Sequence, residues 1–238
     1  MYGYGYYGFY FDPTYIFIII GVLISAWASI NVNTTFSKFS KIRNKTGLTG
    51  AEVAERILRS KGITDVTIEH VPGNLSDHYN PSTKVLRLSD ATYDKASVGA
   101  ISVAAHECGH AIQHAEGYAP LSIRSALVPV ANIGSYASWI FIFIGLLFSG
   151  NSSATWINIG IICFSLAVLF QIVTLPVEFN ASSRALAAME SYGIVDGEEK
   201  KGAKKVLFAA ALTYVAAALT AILQLLRLII LFGGRRRD

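Results

Sequence analysis

Residues 14–32 read TYIFIIIGVLISAWASINV, an apolar run that contains no charged side chain. A helix needs about 20 such residues to cross the hydrocarbon layer of a bilayer. Three further runs have a comparable length and composition, namely residues 126–148, 156–177 and 206–232. The chain as a whole is 53% hydrophobic with a mean hydropathy of +0.44. The sequence therefore predicts a mainly α integral membrane protein with several transmembrane helices.

The positions of Lys and Arg predict the orientation of these helices, because positive residues are retained on the cytoplasmic side. The 20 Lys and Arg residues are absent from residues 1–14 and 149–155. We therefore expect a multi-pass protein of the plasma (cell) membrane with its N-terminus outside. The expected segments are a Tyr/Gly-rich leader (1–13), a first span (14–32), a cytoplasmic region (33–125), a second span (126–148), an external loop (149–155), a third span (156–177), a cytoplasmic segment (178–205), a hydrophobic helix (206–232) and a basic tail (233–238).

Two points of this topology have alternatives. If residues 206–232, which include Arg227, cross the membrane once, the basic tail lies outside, against the positive-inside rule. A re-entrant segment, or a helix packed on the cytoplasmic region, avoids that conflict. The first run could also be a cleaved signal peptide, since Ala26 and Ala28 form an A-x-A pattern. It has no basic region before it, so an uncleaved anchor is favoured.

The region between the first two spans has the pattern of a small α+β domain. Thr49 and Glu52 form a capping box at the start of a short amphipathic helix. The segments ITDVTIEHV (63–71) and KVLRLS (84–89) favour strands, and turn residues between them indicate a small hairpin or a three-stranded sheet. Ser97 can then cap a helix that continues to Gly117.

That last helix contains the stretch AAHECGHAIQHAEGY, residues 104–118. His106 and His110 are one helical turn apart, so both imidazoles can reach one metal ion from the same face. Glu107 lies beside the first of them and can accept a proton from a water molecule that the ion activates. This is the HExxH pattern of zinc proteases, whereas Cys108 points away and is expected in the core.

A third protein ligand is required. His114 is about 12 Å along the helix axis from His106, too far to complete the same tetrahedron. A metzincin would have glycine and histidine where this chain has Gln113 and Glu116. Glu178 is the only acidic residue between Glu116 and Glu190, and it stands at the cytoplasmic end of the third span. An ionisable group so close to a span is a functional candidate.

Four stretches together resemble the bacterial membrane neutral zinc metallopeptidases of the YugP type: AAHECGHAIQH, GNLSDHYNPSTKVLRLSD, LPVEFNASSRAL and ALTYVAAAL. The resemblance implies a gluzincin-like site in a zincin-like cytoplasmic protease domain, with one Zn²⁺ held by His106, His110 and Glu178 and with Glu107 as the catalytic acid and base. The chain is also similar to HtpX-type and prenyl-protein-processing membrane proteases. Those have an Asp four residues after the third ligand, where this chain has Ser182.

We therefore expect a membrane-embedded zinc endopeptidase that hydrolyses peptide bonds at the cytoplasmic membrane surface, with a suggested role in membrane-protein quality control. Its expected partners are a protein or peptide substrate and the lipid bilayer, with no nucleic acid, and its oligomeric state is open. The KVLRLS segment is either an edge strand for substrate or an ordinary sheet strand. Candidate oxyanion or substrate contacts are His78, Tyr79, Arg184, Tyr192 and Tyr214, although a simple turn position is favoured for His70 and His78.

Three other functions fit parts of the pattern. A site-2-type intramembrane protease needs an Asp-Gly pair in a span, but Asp196-Gly197 lies among charged residues. A non-catalytic zinc-binding membrane scaffold or sensor would use the same ligands, and then Glu107→Gln would have no effect. An ion transporter would have several ionisable residues within its spans, and these runs contain almost none.

Overall fold

The computed structural model describes residues 12–233. Nearly all of the predicted leader and basic tail therefore lies outside the described residues. The elements within them, in chain order, are α1 (Tyr15–Ser40), α2 (Gly50–Ser60), β1 (Thr67–Val71), β2 (His78–Asn80), β3 (Val85–Ser89), α3 (Val98–Ala115), α4 (Ala119–Leu147), α5 (Gly150–Ser191) and α6 (Gly197–Phe232).

Four of these helices, α1, α4, α5 and α6, are long and apolar enough to cross a membrane. The expectation of a mainly α integral membrane protein with a small sheet is confirmed. At 42 residues α5 is about 63 Å long, and α6 at 36 residues is about 54 Å. Both exceed the roughly 30 Å of the hydrocarbon layer, so parts of these helices extend beyond it and form walls of the remaining domain.

Helices α1 and α6 pack antiparallel to each other. The hydroxyl groups of Ser25 and Thr220 lie 3.1 Å apart, and a Cβ added to Gly21 would lie 3.0 Å from the Thr220 methyl group. Further along, Arg227 stacks over the ring of Tyr15 and lies 3.8 Å from the carboxylate of Asp12. The end of α6 therefore lies beside the beginning of α1.

The sheet has the strand order β1-β3-β2. β1 pairs with β3 in parallel, and β2 pairs with β3 antiparallel, with Tyr79 opposite Leu86. The sheet is thus three-stranded rather than a simple hairpin. Because KVLRLS forms the central strand, it cannot be an edge strand for substrate, and the alternative of an ordinary sheet strand is correct. The two edges of the sheet are β1 and β2, and β2 is the edge strand that is antiparallel to β3.

One hydrophobic core joins the sheet to the extended ends of the long helices. Ile57 of α2, Leu86 of β3, Ile112 of α3 and Met189 of α5 are fully or almost fully buried in it. Cys108 is also completely buried there, as predicted. Thr49 and Glu52 make both hydrogen bonds of the capping box, and the Ser97 side chain caps α3. The position of α3 is therefore fixed from both the sheet and the long helices.

Candidate metal centre

Helix α3 presents its two histidines to the buried face of α5. The His106 and His110 rings lie 4.8 Å apart in an edge-on arrangement. Nε2 of His106 is 3.2 Å and Nε2 of His110 is 3.5 Å from the same oxygen, Oε2 of Glu178. The structure thus brings together three residues separated by up to 72 positions, and their ligand atoms all lie within 4.8 Å of one another.

These separations suit a metal ion. Tetrahedral zinc with bonds of about 2.1 Å to N and O donors places its ligand atoms about 3.4 Å apart. Glu178 is only 1% exposed, and its Oε1 has no hydrogen-bond partner among the described residues. A buried carboxylate is costly unless cations compensate it; Arg124 supplies one, 3.4 Å from Oε1, and a metal ion at Oε2 would supply a second. Two imidazoles and one carboxylate, converging without a thiolate, therefore form a donor set that fits Zn²⁺.

A close approach of two helices makes this group possible. A Cβ on Gly109 would lie 2.4 Å from the carbonyl oxygen of Ala181 and 3.0 Å from its Cα. No side chain fits in that space, so the glycine inside HECGH lets the α3 backbone contact the α5 backbone. Glu178 and Ser182, one turn apart on α5, can therefore both reach His106.

Each histidine has a second partner that orients its ring. Nδ1 of His106 lies 3.2 Å from the hydroxyl of Ser182, and Nδ1 of His110 lies 3.0 Å from Oε1 of Gln113. The Gln113 amide nitrogen donates to the carbonyl of Val177 at 2.8 Å, which fixes its oxygen toward His110. A donating Nδ1–H leaves the Nε2 lone pair of His110 free for a metal.

Burial and the neighbouring carboxylates shift the pKa of His110 in opposite directions. Burial lowers the pKa of its imidazole, but the hydrogen bond that the ring donates to Glu178 and the negative charges of Glu107 and Glu178 outweigh burial, so the pKa is raised overall. Arg124 of α4 places Nη1 at 3.4 Å from Oε1 of Glu178. It therefore supplies one cation beside the buried carboxylate.

Glu107 lies next to the three-residue group but has a different partner. Its Oε2 accepts a hydrogen bond of 2.9 Å from the backbone N–H of Tyr79 in β2. In an antiparallel pair the N–H and C=O of one residue point to the same side. The Tyr79 carbonyl therefore also faces away from β3, toward the centre. The hydrogen bond from the Tyr79 N–H therefore holds the Glu107 carboxylate at the outer edge of β2.

His114 contacts the side chain of Tyr79. Its hydroxyl lies 2.8 Å from Nδ1 of His114, and burial raises the pKa of the phenol, which keeps it protonated at neutral pH. His114 is not a member of the three-residue group. Its position agrees with the spacing argument that separated it from His106.

A cavity of about 410 Å³ opens in front of Glu107, between β2, α4 and α6. Among the candidate contacts, His78, Tyr79 and Tyr214 line it. Arg184 lies elsewhere, in an ion pair with Glu116. The Tyr192 hydroxyl lies 3.4 Å from the carbonyl of Ser60 in α2. Neither of these two side chains is among those that line the cavity.

Sequence reasoning missed three contributors to the centre. Arg124 carried one signal, since it is a lone cation directly before a predicted span. Gln113 was considered only as a departure from the metzincin pattern, although it lies one turn after His110. Asp77 accepts hydrogen bonds from the backbone and hydroxyl of Ser89, at 2.8 and 2.9 Å. These two hydrogen bonds fix the residue that directly precedes β2. Nothing in the sequence indicated that Asp77 pairs with Ser89.

The fold and the centre together define a class: a helical membrane protein whose HExxH helix meets a glutamate from a later apolar helix. Residues 14–233 match the model of a protein family described as "Putative neutral zinc metallopeptidase". The chain belongs to this family. It is also 48% identical, over 94% of its length and 99% of the relative's, to a protein of Bacillus subtilis (strain 168) named "Putative membrane protease YugP". No solved structure gives a significant match.

Proposed function

We propose that this protein is a membrane-embedded zinc-dependent endopeptidase in which His106, His110 and Glu178 hold one zinc ion and Glu107 is the catalytic acid and base. The convergence of the three ligand atoms beside Glu107 carries this proposal. Membership of a zinc metallopeptidase family supports it. A bound zinc ion would polarise the substrate carbonyl and lower the pKa of a water molecule.

The protein's own groups would then carry out the proton transfers. Glu107 accepts the proton of the attacking water and passes it to the leaving amine. The hydrogen bond from the Tyr79 N–H fixes its carboxylate at the edge of the cavity, so little reorganisation is needed. The Ser182 and Gln113 contacts keep both imidazoles oriented throughout.

The outer edge of β2 is the proposed main-chain binding surface for substrate. An extended peptide can add to a sheet edge through backbone hydrogen bonds. The Tyr79 carbonyl faces the cavity and can accept one from a substrate N–H. Tyr214 and His78 line the same cavity. The Tyr214 hydroxyl could donate to the oxyanion of the tetrahedral intermediate, whereas Nδ1 of His78 already donates to the Ser76 carbonyl.

For the topology we propose four spans, with residues 33–125 and 178–205 in the cytoplasm and the centre at the cytoplasmic membrane surface. The distribution of Lys and Arg before residue 206 supports this orientation. The Arg227–Asp12 contact, which brings the end of α6 beside the start of α1, supports a complete fourth span. Arg227 is there compensated by a carboxylate and an aromatic ring rather than exposed to lipid.

Catalysis and zinc binding can be separated in one experiment. The full chain is purified in detergent, and zinc content and cleavage of an unfolded reporter protein are measured for wild type, Glu107→Gln and Glu55→Gln. Glu55 lies on the exposed side of α2 and serves as the matched control. We expect zinc in all three and cleavage in all but Glu107→Gln.

The same data test the alternative of a non-catalytic zinc-binding scaffold or sensor. Zinc in both variants without cleavage by the wild type would favour that alternative. Cleavage by Glu107→Gln at the wild-type rate would reject the proposed role of Glu107. Turnover of membrane proteins is the proposed cellular role, because the centre lies beside the long apolar helices.

A further inference from the structure

A second cavity, of about 250 Å³, adjoins the catalytic cavity at Glu107. We call it the α1–α6 groove and define it by residues of three helices: Val32, Val103, Val206, Leu207, Ala210 and Thr213. Asp77, Glu107 and Tyr214 line both this groove and the catalytic cavity. A peptide lying across Glu107 would therefore enter the groove on one side of the scissile bond.

The groove offers an apolar surface without a free charge. Its walls away from the centre are aliphatic, apart from the hydroxyl of Thr213, which donates to the Ala210 carbonyl of its own helix at 2.7 Å. Its acidic groups lie at the catalytic end and have partners: Asp77 is held by Ser89, and Glu107 by the Tyr79 N–H. A charged side chain would lose its hydration here without gaining a counter-ion, whereas an aliphatic or aromatic one would be favoured.

Part of the groove wall belongs to helices that are long and apolar enough to cross a membrane. Val32 is the last residue of the first predicted span, on α1, and Val206 and Ala210 lie on α6, which is apolar enough to cross a membrane. A substrate segment beside the apolar parts of α1 and α6 would therefore lie close to the groove.

From this geometry we infer that the α1–α6 groove is a substrate subsite for one large aliphatic or aromatic side chain beside the scissile bond. The inference rests on the proposed endopeptidase function and names its substrate class: extended peptide segments with a bulky apolar residue at one fixed position. The catalytic cavity adjoins the groove at Glu107. It is also lined by Arg124 and His78 and is more polar than the groove. Selectivity is therefore expected mainly on the groove side.

Ala210 is the residue through which the groove can be altered. It is a small, partly exposed residue on the α6 face that lines the groove. Ala210→Leu keeps a good helix former and places three additional carbon atoms in the space for the substrate side chain. Ala217→Leu is the matched control, because it makes the same change on α6, about two turns further on, at a partly exposed position outside the groove.

The test maps cleavage sites in an unfolded reporter protein by mass spectrometry for wild type and the two variants in detergent. We expect wild type and Ala217→Leu to favour Leu, Ile, Val or Phe at one position, at least about tenfold over Gly, Ala or Ser. Ala210→Leu should remove or reverse this preference while still cutting beside small residues. An identical preference in Ala210→Leu and wild type would overturn the inference.

A binding measurement keeps the inference testable if the wild type cleaves nothing. Two fluorescent octapeptides, one with central leucines and one with serines at the same positions, are titrated by anisotropy. The groove predicts that wild type binds the leucine peptide at least about tenfold more tightly and that Ala210→Leu removes the difference. Equal binding by the wild type would reject the subsite. If added phospholipid displaces the leucine peptide at constant detergent, an acyl chain is the occupant, and the inference also fails.

Discussion

At the scale of single residues, the centre depends on polar groups that orient the histidines. Ser182 and Gln113 each contact the ring nitrogen that faces away from Glu178. The HExxH spacing predicts that His106 and His110 share one face, because residues four apart on a helix are neighbours, and the structure brings both close to Glu178. Their orienting partners could not be predicted in the same way. A serine or glutamine at these positions has no ligand signature until the packing of α3 on α5 is known.

Ser182→Ala tests the orienting contact. Loss of the hydroxyl leaves the His106 ring without a partner at Nδ1, and we expect zinc affinity to fall by about tenfold or more. Competition with a fluorescent chelator measures this affinity. Ser183→Ala is the matched control, since Ser183 is exposed on the same helix. Ser182→Asp, which restores a stronger acceptor, should bind zinc at least as well as the wild type. Equal affinities for Ser182→Ala and wild type would contradict the role.

The pH dependence of zinc binding follows from His110. Because the pKa of its imidazole is raised in the metal-free centre, a proton is retained to a higher pH than in a free histidine. Zinc requires the neutral ring and must displace that proton. Affinity should therefore rise with pH through the raised pKa and level off above it. Calorimetry in two buffers of different ionisation enthalpy should detect proton release near neutral pH. Zinc binding without proton release there would contradict this.

At the scale of elements, the sequence predicted local features better than pairings. The capping box, the Ser97 cap and the buried Cys108 all follow from neighbouring residues. β2 was not predicted, because a strand of three residues is too short for a periodicity signal. The parallel pairing of β1 with β3 also has no local signature. The sequence therefore left KVLRLS as either an edge strand or an ordinary sheet strand, and the central position of β3 shows that the second alternative is correct.

Gly109→Ala tests the contact between α3 and α5. The added methyl group would collide with the Ala181 backbone, which cannot rotate away as a side chain can. Overpacking of this kind costs about 1–3 kcal/mol. We therefore expect a lower Tm and weaker zinc binding, because Glu178 moves away from both histidines. Thermal unfolding and chelator competition measure the two effects. A variant with unchanged Tm and unchanged zinc affinity would show that the helices do not need this close approach.

At the scale of the whole molecule, apolar length alone identified the four long helices. It did not show that α5 and α6 extend past the bilayer into the core beside α3, since hydrophobicity changes gradually at such boundaries. The path of residues 206–232 had three alternatives in the sequence. The antiparallel packing of α6 on α1 favours a complete span.

Cysteine labelling tests this topology. Single cysteines are introduced at Ser149, Lys61 and Gly233, and intact cells are treated with a membrane-impermeant maleimide. Four spans predict labelling of Ser149→Cys and Gly233→Cys, and labelling of Lys61→Cys only after the membrane is disrupted. A protected Gly233→Cys together with a labelled Ser149→Cys would exclude a complete fourth span. The cysteines are introduced into a Cys163→Ser chain, because Cys163 is only partly buried, and that chain without a new cysteine is the control, since Cys108 is buried.

The central claim is that one metal centre joins α3 to α5, and its most direct test is the zinc content of ligand variants. Zinc per chain is measured by mass spectrometry for wild type, Glu178→Gln and Glu190→Gln, with circular dichroism as the test of folding. Glu190 is an exposed acid on the same helix. The predicted result is about one zinc ion in wild type and Glu190→Gln and a large loss in Glu178→Gln. Full zinc occupancy in Glu178→Gln, or no zinc in folded wild type, would contradict the account.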